Sequence, residues 1–335
     1  MKPARQKTKS RERLKSYSRQ PGVATGVTIV VVNYNAGNFL ESCIASCLQQ
    51  AEEVILVDNA SVDRSVDAIS RRFEKKRLRI IRNSVNVGFA AACNIGASVA
   101  RGQFLLFLNP DSVLVKNMVG LLVLALKSDK KIGMAGGLIL DENGCEQRGG
   151  RRAIPTPWRS FVYIFNLSRF RERWPRLFDD FNSNKQALPV GLTEVEAISG
   201  ACMMVKRQAM QDVGPWDEQY FLHCEDLDLC MRYRQKKWTI VFVPDARIIH
   251  YRSRCSQLRP VYVEYCKHRG MLRFYLKFFR HQYPSVLMWL VILGIGLRFC
   301  AVALRVVARG VRRIGVLGSR SLGGEYLLSV LLNAC

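Results

Sequence analysis

With 335 residues, of which 49% are hydrophobic, the chain is long enough for one large domain with a substantial core and additional segments. Its formal net charge is +24, and residues 1–25 and 247–320 together carry +21 of it. Basic ends indicate an anionic partner, either nucleic acid or the cytoplasmic leaflet of a membrane. The N-terminus has no signal-like apolar stretch, and the eleven cysteines have no C-x-x-C spacing, which argues against a secreted disulfide framework or a zinc site.

Residues 1–25 are predicted to form a disordered basic arm, because Lys, Arg and Ser dominate them. Folding is predicted to begin at Val27, and strands then alternate with helices. The strands are predicted at 27–32, 54–57, 79–82, 104–108 and 132–139. The helices are predicted around 39–48, at 62–73 with Ser61 as N-cap, and near 116–127, and the segment 86–96 is predicted to be the start of a further helix. The alternation predicts an α/β fold with a doubly wound sheet flanked by helices and a ligand crevice at the carboxyl ends of the strands.

The segment after the strand 104–108 is the first candidate site. Five apolar residues suit a strand buried on both faces, and Asn109-Pro110 ends it, which leaves Asp111 at the carboxyl end of a central strand. A carboxylate in that place suits a divalent metal that faces phosphate oxygens. The alternative is that the segment is only a turn.

Polar side chains also follow the first two strands. Asn33, Tyr34 and Asn35 end the first, and Asp58 ends the second. The sequence has no G-x-G-x-x-G after the first strand and no P-loop pattern, so neither of those phosphate grips is expected. Asp58 could accept hydrogen bonds from a base or ribose, or form an Asx turn before the next helix.

A second acidic cluster lies at the predicted start of a helix. Glu225 and Asp226 are adjacent there, and neighbours on a helix diverge by about 100°, so different roles are expected for them. Helix capping is the simpler interpretation. Asp228 and Arg232, four residues apart, are predicted to form a surface or helix-fixing ion pair. His250 follows a predicted strand at 238–244, and a histidine satisfied within the core is one interpretation of it.

Six motifs occur in a fixed order along the chain. They are Val-Val-Asn-Tyr-Asn (31–35), Val-Asp-Asn-Ala-Ser-x-Asp (57–63), Asn-x-Gly-Phe-Ala-Ala (86–91), Leu-Asn-Pro-Asp-Ser (108–112), Ile-Ser-Gly-Ala-Cys-Met-Met-Val-Lys-Arg (198–207) and Gly-x-x-Asp-Glu-x-Tyr-Phe-x-x-x-Glu-Asp-x-Asp-Leu-Cys-x-Arg (214–232). The series resembles the family 2 glycosyltransferases of the GT-A fold, and in particular their rhamnosyltransferase-like branch. The resemblance covers about residues 27–280.

The resemblance implies roles for particular residues. Asp226 would be the catalytic base, Glu225 would bind the acceptor or orient the loop, and Asp111 would serve a Mg or Mn ion at the diphosphate. Nucleotide-sugar binding is implied for Asn33, Tyr34, Asn35, Asp58, Asn86, Gly88, Asn109 and His250. The pattern usually written D-x-D is here Asn109-Pro110-Asp111, with one carboxylate in place of two.

The resemblance also suggests a division of the chain. Residues 26–140 would bind the nucleotide sugar, 141–190 would be an acceptor-side insertion, and 191–280 would form the acceptor and catalytic half. The insertion interleaves arginines with aromatic residues, a pattern found in single-strand nucleic-acid binders and at membrane headgroups.

Residues 281–335 are predicted to form membrane-associated helices. Twelve uncharged residues at 286–297 are followed by Arg298, and a spanning helix needs about twenty apolar residues. An in-plane or re-entrant anchor is therefore favoured over a span, and a buried helical hairpin is the alternative.

These patterns together predict an inverting glycosyltransferase on the cytoplasmic face of the inner membrane, bound there as a peripheral or monotopic protein. It would move a sugar to a lipid-linked or cell-envelope glycan acceptor. The rhamnosyltransferase-like branch suggests that this sugar is rhamnose, with dTDP-rhamnose as the donor. No nucleic-acid partner is expected. The competing interpretations are a basic membrane- or nucleic-acid-binding protein on a degenerate GT-A fold, and a nucleotidyltransferase.

Overall fold

The computed structural model describes residues 23–73, 76–178, 181, 187–251 and 260–318, with the backbone alone at 176 and 307–318. Most of the predicted basic arm lies outside these residues. Its last residues do not, because the first strand begins at Ala24, where the backbone N–H donates to Gln50 O at 2.8 Å.

The described residues fold into alternating strands and helices. The strands are β1 (Ala24–Asn33), β2 (Ala51–Asp58), β3 (Leu78–Arg82), β4 (Phe104–Leu108), β5 (Ser112–Leu114), β6 (Ile132–Leu140), β7 (Arg151–Arg152), β8 (Thr193–Glu194), β9 (Ala197–Ile198), β10 (Cys202–Lys206) and β11 (Thr239–His250). The helices are α1 (Phe39–Leu48), α2 (Ser65–Arg72), α3 (Phe89–Val99), α4 (Met118–Ser128), α5 (Pro157–Ile164), α6 (Pro175–Phe178), α7 (Arg207–Val213), α8 (Glu225–Gln235), α9 (Pro260–Phe278) and α10 (Ser285–Gly318), and Leu167–Phe170 is a 3-10 turn.

The main sheet has the strand order β3-β2-β1-β4-β10-β6-β11-β5, and β8 pairs with β11. In the series β3-β2-β1-β4, each strand is parallel to the next, and β6 is parallel to β11. β10 lies between β4 and β6 and is antiparallel to both. β4 is wholly apolar and buried, and the carboxyl-terminal halves of β1 and β2 are buried and mainly apolar, because helices cover both faces of the sheet there. The predicted α/β class with a mixed, mostly parallel sheet is confirmed.

Helix α3 approaches the sheet very closely, which accounts for its small residues. A Cβ at Gly96 would lie 2.3 Å from Val30 Cγ1, so only glycine allows this approach to β1. The close packing holds the start of α3 against the ends of β1 and β2, where the polar motifs lie.

Two local predictions were wrong. Helix α2 begins at Ser65 and not after Ser61, and its first N–H donates to Asp63 Oδ1 at 3.1 Å. The Ser61 hydroxyl instead donates to Asp58. The last long strand also does not end near Pro244: β11 shifts register between Val243 and Arg247 and continues to His250. The shift accommodates a proline that lacks the N–H of a regular strand.

A second compact unit comprises 220–224 and the residues from 253 onward, and its described helices are α9 and α10. Within it, Phe299 of α10 contacts Tyr265 and His268 of α9, with ring centroids 6.1 and 5.6 Å apart. Residues Ser285–Val306 form a 22-residue stretch that contains an 18-residue window with a mean hydropathy of 2.3, and 6% of that window is buried. By length and composition this helix is able to cross a membrane, and its exposure does not fit the alternative of a buried hairpin. Whether it spans or lies in-plane stays a prediction.

Candidate active site

The carboxyl ends of β1 and β2 bring Asn33 and Asp58 together. The Asn33 amide donates to Asp58 Oδ1 at 2.9 Å, and the Ser61 backbone N–H donates to Asp58 Oδ2 at 3.3 Å. Asp58 therefore forms a turn, as one interpretation of it expected. It also lies at a strand end, where the other interpretation, a contact with the base or ribose, would need it. Asn33 Oδ1 is buried and has no hydrogen-bond partner among the described residues, which leaves an acceptor for a bound molecule.

The other residues predicted to bind the nucleotide sugar lie in the loops at the same sheet edge. Asn35 has a left-handed backbone, and its side-chain oxygen accepts from Val62 N at 2.8 Å, whereas Tyr34 is exposed. Gly88 has φ +89, and its N–H donates to Asn86 Oδ1 at 3.0 Å. These contacts fix the loops around the crevice.

Asn59 was not predicted as a site residue, although it lies within a quoted motif. Its amide nitrogen donates to Gly88 O at 3.0 Å, and its oxygen accepts from Asn83 Nδ2 at 2.8 Å. It thereby ties the end of β2 to the start of α3, and we assign it a structural role.

The first centre consists of Asp111, His250, Asn109 and Gln147, and we call it the Asp111 centre. His250 Nε2 lies 3.1 Å from Asp111 Oδ1 and 3.3 Å from Asn109 Nδ2. Antiparallel pairing of β5 with β11 sets this geometry, because Ser112 is the register partner of His250. The structure thus brings three predicted site residues together.

The direction of the Gln147 amide assigns the histidine tautomer. Its nitrogen donates to His250 O, so its oxygen faces His250 Nδ1 at 2.9 Å and that ring nitrogen carries the proton. In the neutral ring, the Nε2 lone pair then faces the Asp111 carboxylate. Asp111 and His250 offer one carboxylate and one imidazole nitrogen, a donor pair of the kind that a divalent cation accepts. No group of three or more His, Cys, Asp or Glu side chains that could hold a metal ion occurs in the described part of the chain. Gln147 is the kind of outer partner that orients a ligating histidine.

The second centre, the Asp226 centre, comprises Arg152, Gly200, Glu225 and Asp226. Arg152 Nη2 donates to Asp226 Oδ2 at 2.6 Å, and Gly200 N donates to the same oxygen at 3.0 Å. A Cβ at residue 200 would lie 3.2 Å from Asp226 Cβ, so the glycine permits this close approach. Asp226 is thus held from two directions at the start of α8.

Glu225 has a different environment. It is buried, and its Oε2 has no hydrogen-bond partner in the described part of the chain. Burial, with a further contribution from the negative Asp226, raises the pKa of Glu225 to about 8. At neutral pH Glu225 is therefore mainly protonated, and the two adjacent residues differ in charge as well as in direction.

Asp228 belongs to neither centre. It is fully buried and accepts from Arg232 Nε at 2.6 Å, and Arg232 also donates to the carbonyls of Val213 and Gly214. The predicted ion pair is confirmed, and the burial of Asp228 shows that it fixes the helix and is not a surface pair.

Two backbone segments join the centres. Ala201 O accepts from Asn109 N at 3.1 Å, next to the Gly200 N–H that donates to Asp226. Residues 147–152 run alongside, with Gln147 at one centre and Arg152 at the other, and Ser199 N donates to Gly150 O at 3.1 Å between them. These segments connect the two centres directly.

Comparison with known proteins decides the family. The sequence profile of Glycosyl transferase family 2 matches residues 28–214, more than half of the chain. The chain belongs to glycosyl transferase family 2. It is also 27% identical, over 248 residues, to the N-acetylglucosaminyl-diphospho-decaprenol L-rhamnosyltransferase of Mycobacterium tuberculosis (strain ATCC 25618 / H37Rv), covering 69% of this chain and 78% of that protein.

Solved glycosyltransferase structures share the fold. The mannosyltransferase PcManGT from Pyrobaculum calidifontis in complex with GDP-Man and Mn²⁺ has a TM-score of 0.51 at 16% identity, over 98% of this chain and 91% of that one. GalNAc-T7 with UDP, GalNAc and Mn²⁺ has a TM-score of 0.54 at 18% identity, over 74% of this chain, which spans about half (47%) of that protein. The predicted GT-A fold is confirmed, and at this identity the likeness concerns the fold alone.

As a family 2 glycosyltransferase, the protein is a transferase that uses a nucleotide sugar. Membership disfavours the nucleotidyltransferase interpretation, and the assembled centres do not suggest a degenerate site. Sequence reasoning missed Gln147, Gly200 and the contact of Arg152 with Asp226. Gly200 lay in a quoted motif, and Arg152 had been noted only as part of the basic insertion. Arg252 and Arg254 follow His250 in the sequence, where they could hold the leaving phosphate or be solvated, and both lie outside the described residues.

Proposed function

We propose that this family 2 glycosyltransferase is an inverting enzyme that moves a sugar to a lipid-linked diphosphate glycan. From its similarity to a rhamnosyltransferase, we propose that the sugar is rhamnose and the donor dTDP-rhamnose. The observation that carries the proposal is the joining of the Asp111 and Asp226 centres through Gly200–Ala201. Such an arrangement suits a reaction in which a diphosphate leaves at one place while a hydroxyl loses its proton nearby.

The Asp226 centre would activate the acceptor. Asp226 takes the proton of the acceptor hydroxyl as its oxygen forms a bond to the anomeric carbon. The bond between that carbon and the donor phosphate oxygen breaks, and the electron pair leaves with the diphosphate. A single displacement of this kind inverts the anomeric configuration. Arg152 and Gly200 keep the carboxylate in place during the step.

The Asp111 centre would receive the diphosphate. Asp111 and His250 would hold a Mg or Mn ion, and two structural neighbours are complexes with Mn²⁺. When bound, the ion neutralises charge that develops on the leaving group. Gln147 keeps the His250 ring in the tautomer that offers Nε2.

The acceptor and location are proposed from the relative and from α10. The mycobacterial protein is named for a decaprenyl-diphosphate acceptor, and α10 contains a stretch able to cross a bilayer. We place the enzyme on the cytoplasmic face of the inner membrane. Extraction of membranes at alkaline pH releases an in-plane anchor more readily than a span, so retention after extraction would contradict the monotopic form.

Purified full-length protein tests the function directly. It is given a panel of nucleotide sugars and a short-chain polyprenyl diphosphate that carries N-acetylglucosamine, and nucleotide release and product configuration are measured. Transfer from dTDP-rhamnose with inversion is expected. Inverting transfer from another nucleotide sugar would overturn only the donor, whereas retention of configuration would overturn the mechanism.

A further inference from the structure

The insertion carries an apolar surface that the catalytic site does not use. It consists of Trp158, Phe161, Ile164, Phe165, Trp174 and Leu177, and each of these side chains is between 43% and 60% exposed. We call this set the aromatic surface. Contacts among its members distinguish it from the singly scattered apolar residues of an ordinary protein surface.

The aromatic surface is held in place by its own contacts. Thr156 caps α5, and Val162 on the other face of the helix is fully buried, which fixes the outward face. The Trp158 indole N–H donates to Leu177 O at 2.7 Å and joins α5 to α6. The Trp158 and Phe165 rings both pack on Phe161, with centroids 5.5 and 4.5 Å away. Its exposure is therefore a feature of the folded insertion.

Arginines lie along the segment that carries this surface, and one of them, Arg159, is ion-paired with Glu196. Residues 157–178 contain five arginines and one acid, Glu172, a net charge of +4. The Arg169 guanidinium lies 4.8 Å from the Phe170 ring centre, and that of Arg173 lies 5.2 Å from the Trp174 ring centre. Cationic groups beside aromatic rings match a partner that is anionic at its surface and apolar just beneath it.

We propose that the aromatic surface binds at the headgroup level of an anionic lipid bilayer, as a second membrane contact besides α10. This inference rests on the proposed membrane location of the enzyme. Aromatic and aliphatic side chains enter the boundary between headgroups and acyl chains, while arginines bind the phosphates. The same chain carries a helix able to cross a bilayer, so a lipid surface is the partner that its composition already favours.

A single-stranded nucleic acid fits this surface less well. Bases stack on open aromatic faces, but here Trp158 stacks on Phe161 with an interplanar angle of 19°. Ile164, Phe165 and Leu177 are the most exposed members, and the two aliphatic ones provide no stacking face. Insertion into lipid gives all three an apolar environment.

The proposal is tested with full-length protein in lipid nanodiscs, by measuring how deeply a single fluorescent label lies in the bilayer. The exposed Cys145 and Cys300, and Cys255 and Cys335, are first replaced by serine. A nitrobenzoxadiazole label is then attached in the variant Phe165→Cys and in the control Val85→Cys. The control is closely matched, because Val85 is 61% exposed and Phe165 is 60% exposed. Nucleotide-sugar turnover of both labelled proteins checks that they remain folded.

In phosphatidylglycerol nanodiscs, the label at residue 165 should shift to the blue and be quenched at least threefold more by spin-labelled lipid than the label at residue 85. The difference should diminish in phosphatidylcholine nanodiscs. Equal quenching of both labels by aqueous iodide, with the enzyme membrane-bound and active, would overturn the inference and leave the proposed function intact. Protection by an oligonucleotide in place of lipid would also overturn it. Protein that never enters the membrane fraction would contradict the proposed location as well.

Discussion

The Asp111 and Asp226 centres are both largely shielded from solvent, but they are built differently. Strand pairing positions the Asp111 centre: β5 and β11 place Asp111 beside His250, and Gln147 adds an outer hydrogen bond. The Asp226 centre combines a helix start, a glycine and an arginine from the insertion. The first is suited to hold a cation, and the second to keep one carboxylate charged beside one that is neutral. Defects at the first should respond to metal concentration, whereas defects at the second should not.

The largest expected effect comes from Asp226→Asn. The amide keeps an acceptor for Gly200 but cannot take a proton, so turnover should fall by about 10²–10⁴-fold. Donor-nucleotide affinity should change little, and excess Mn²⁺ should not restore the rate. Steady-state kinetics and calorimetry measure both quantities. The exposed Asp245→Asn serves as the matched control, and near-normal transfer by Asp226→Asn would show that another group is the base.

Gln147→Leu tests the other centre. It removes the acceptor at His250 Nδ1, and loss of such an outer partner typically weakens metal affinity by about 10–100-fold. Activity titrated with Mn²⁺ should shift to higher concentration by that factor and approach the wild-type rate at saturation. A rate deficit that is the same at every Mn²⁺ concentration would contradict the metal role of this centre.

Arg152→Gln should lower kcat by roughly tenfold, because Asp226 loses a charge-assisted hydrogen bond that orients it. Arg152→Lys should recover part of the loss, since it restores the charge without the planar fork. Arg152 also lowers the pKa of Glu225, so that pKa should rise further in the glutamine variant. Equal loss in both variants, with an unchanged pH profile, would reduce Arg152 to a structural residue.

The smallest effect on turnover is expected from Glu225→Gln, which should act mainly on stability. Because the folded pKa of Glu225 is about 8 and the unfolded value is near 4.5, the folded state binds more protons between these values. Wild-type stability should therefore fall as the pH rises through that window. Glutamine cannot ionise, so at pH 8 the variant should be more stable by on the order of 2 kcal/mol. Melting curves from pH 5 to pH 8.5 measure the difference, and parallel curves would contradict the buried, protonated assignment.

The different construction of the two centres explains which of their contacts could be predicted from the sequence. Each of β1, β2 and β4 contains a mainly apolar run before its carboxyl end, and parallel strands place these ends at one edge, so Asp58 and Asp111 could be located from local sequence. Arg152 meets Asp226 across 74 residues and Gln147 meets His250 across 103. These contacts depend on β7 and β9, which have two residues each and show no periodicity. Ser61 was assigned wrongly because its hydroxyl could satisfy Asp58 as well as a helix end.

The segment 147–152 has a consequence for how such enzymes can diverge. It reaches one centre with its first residue and the other with its last, and the bond from Ser199 N to Gly150 O fixes its middle. A deletion or insertion of one residue here would displace Gln147 or Arg152. We therefore expect tolerated changes of chain length in the insertion to fall beyond Pro157. Grafting the insertion of another transferase onto this scaffold, to alter acceptor choice, should succeed only when the graft begins after residue 157.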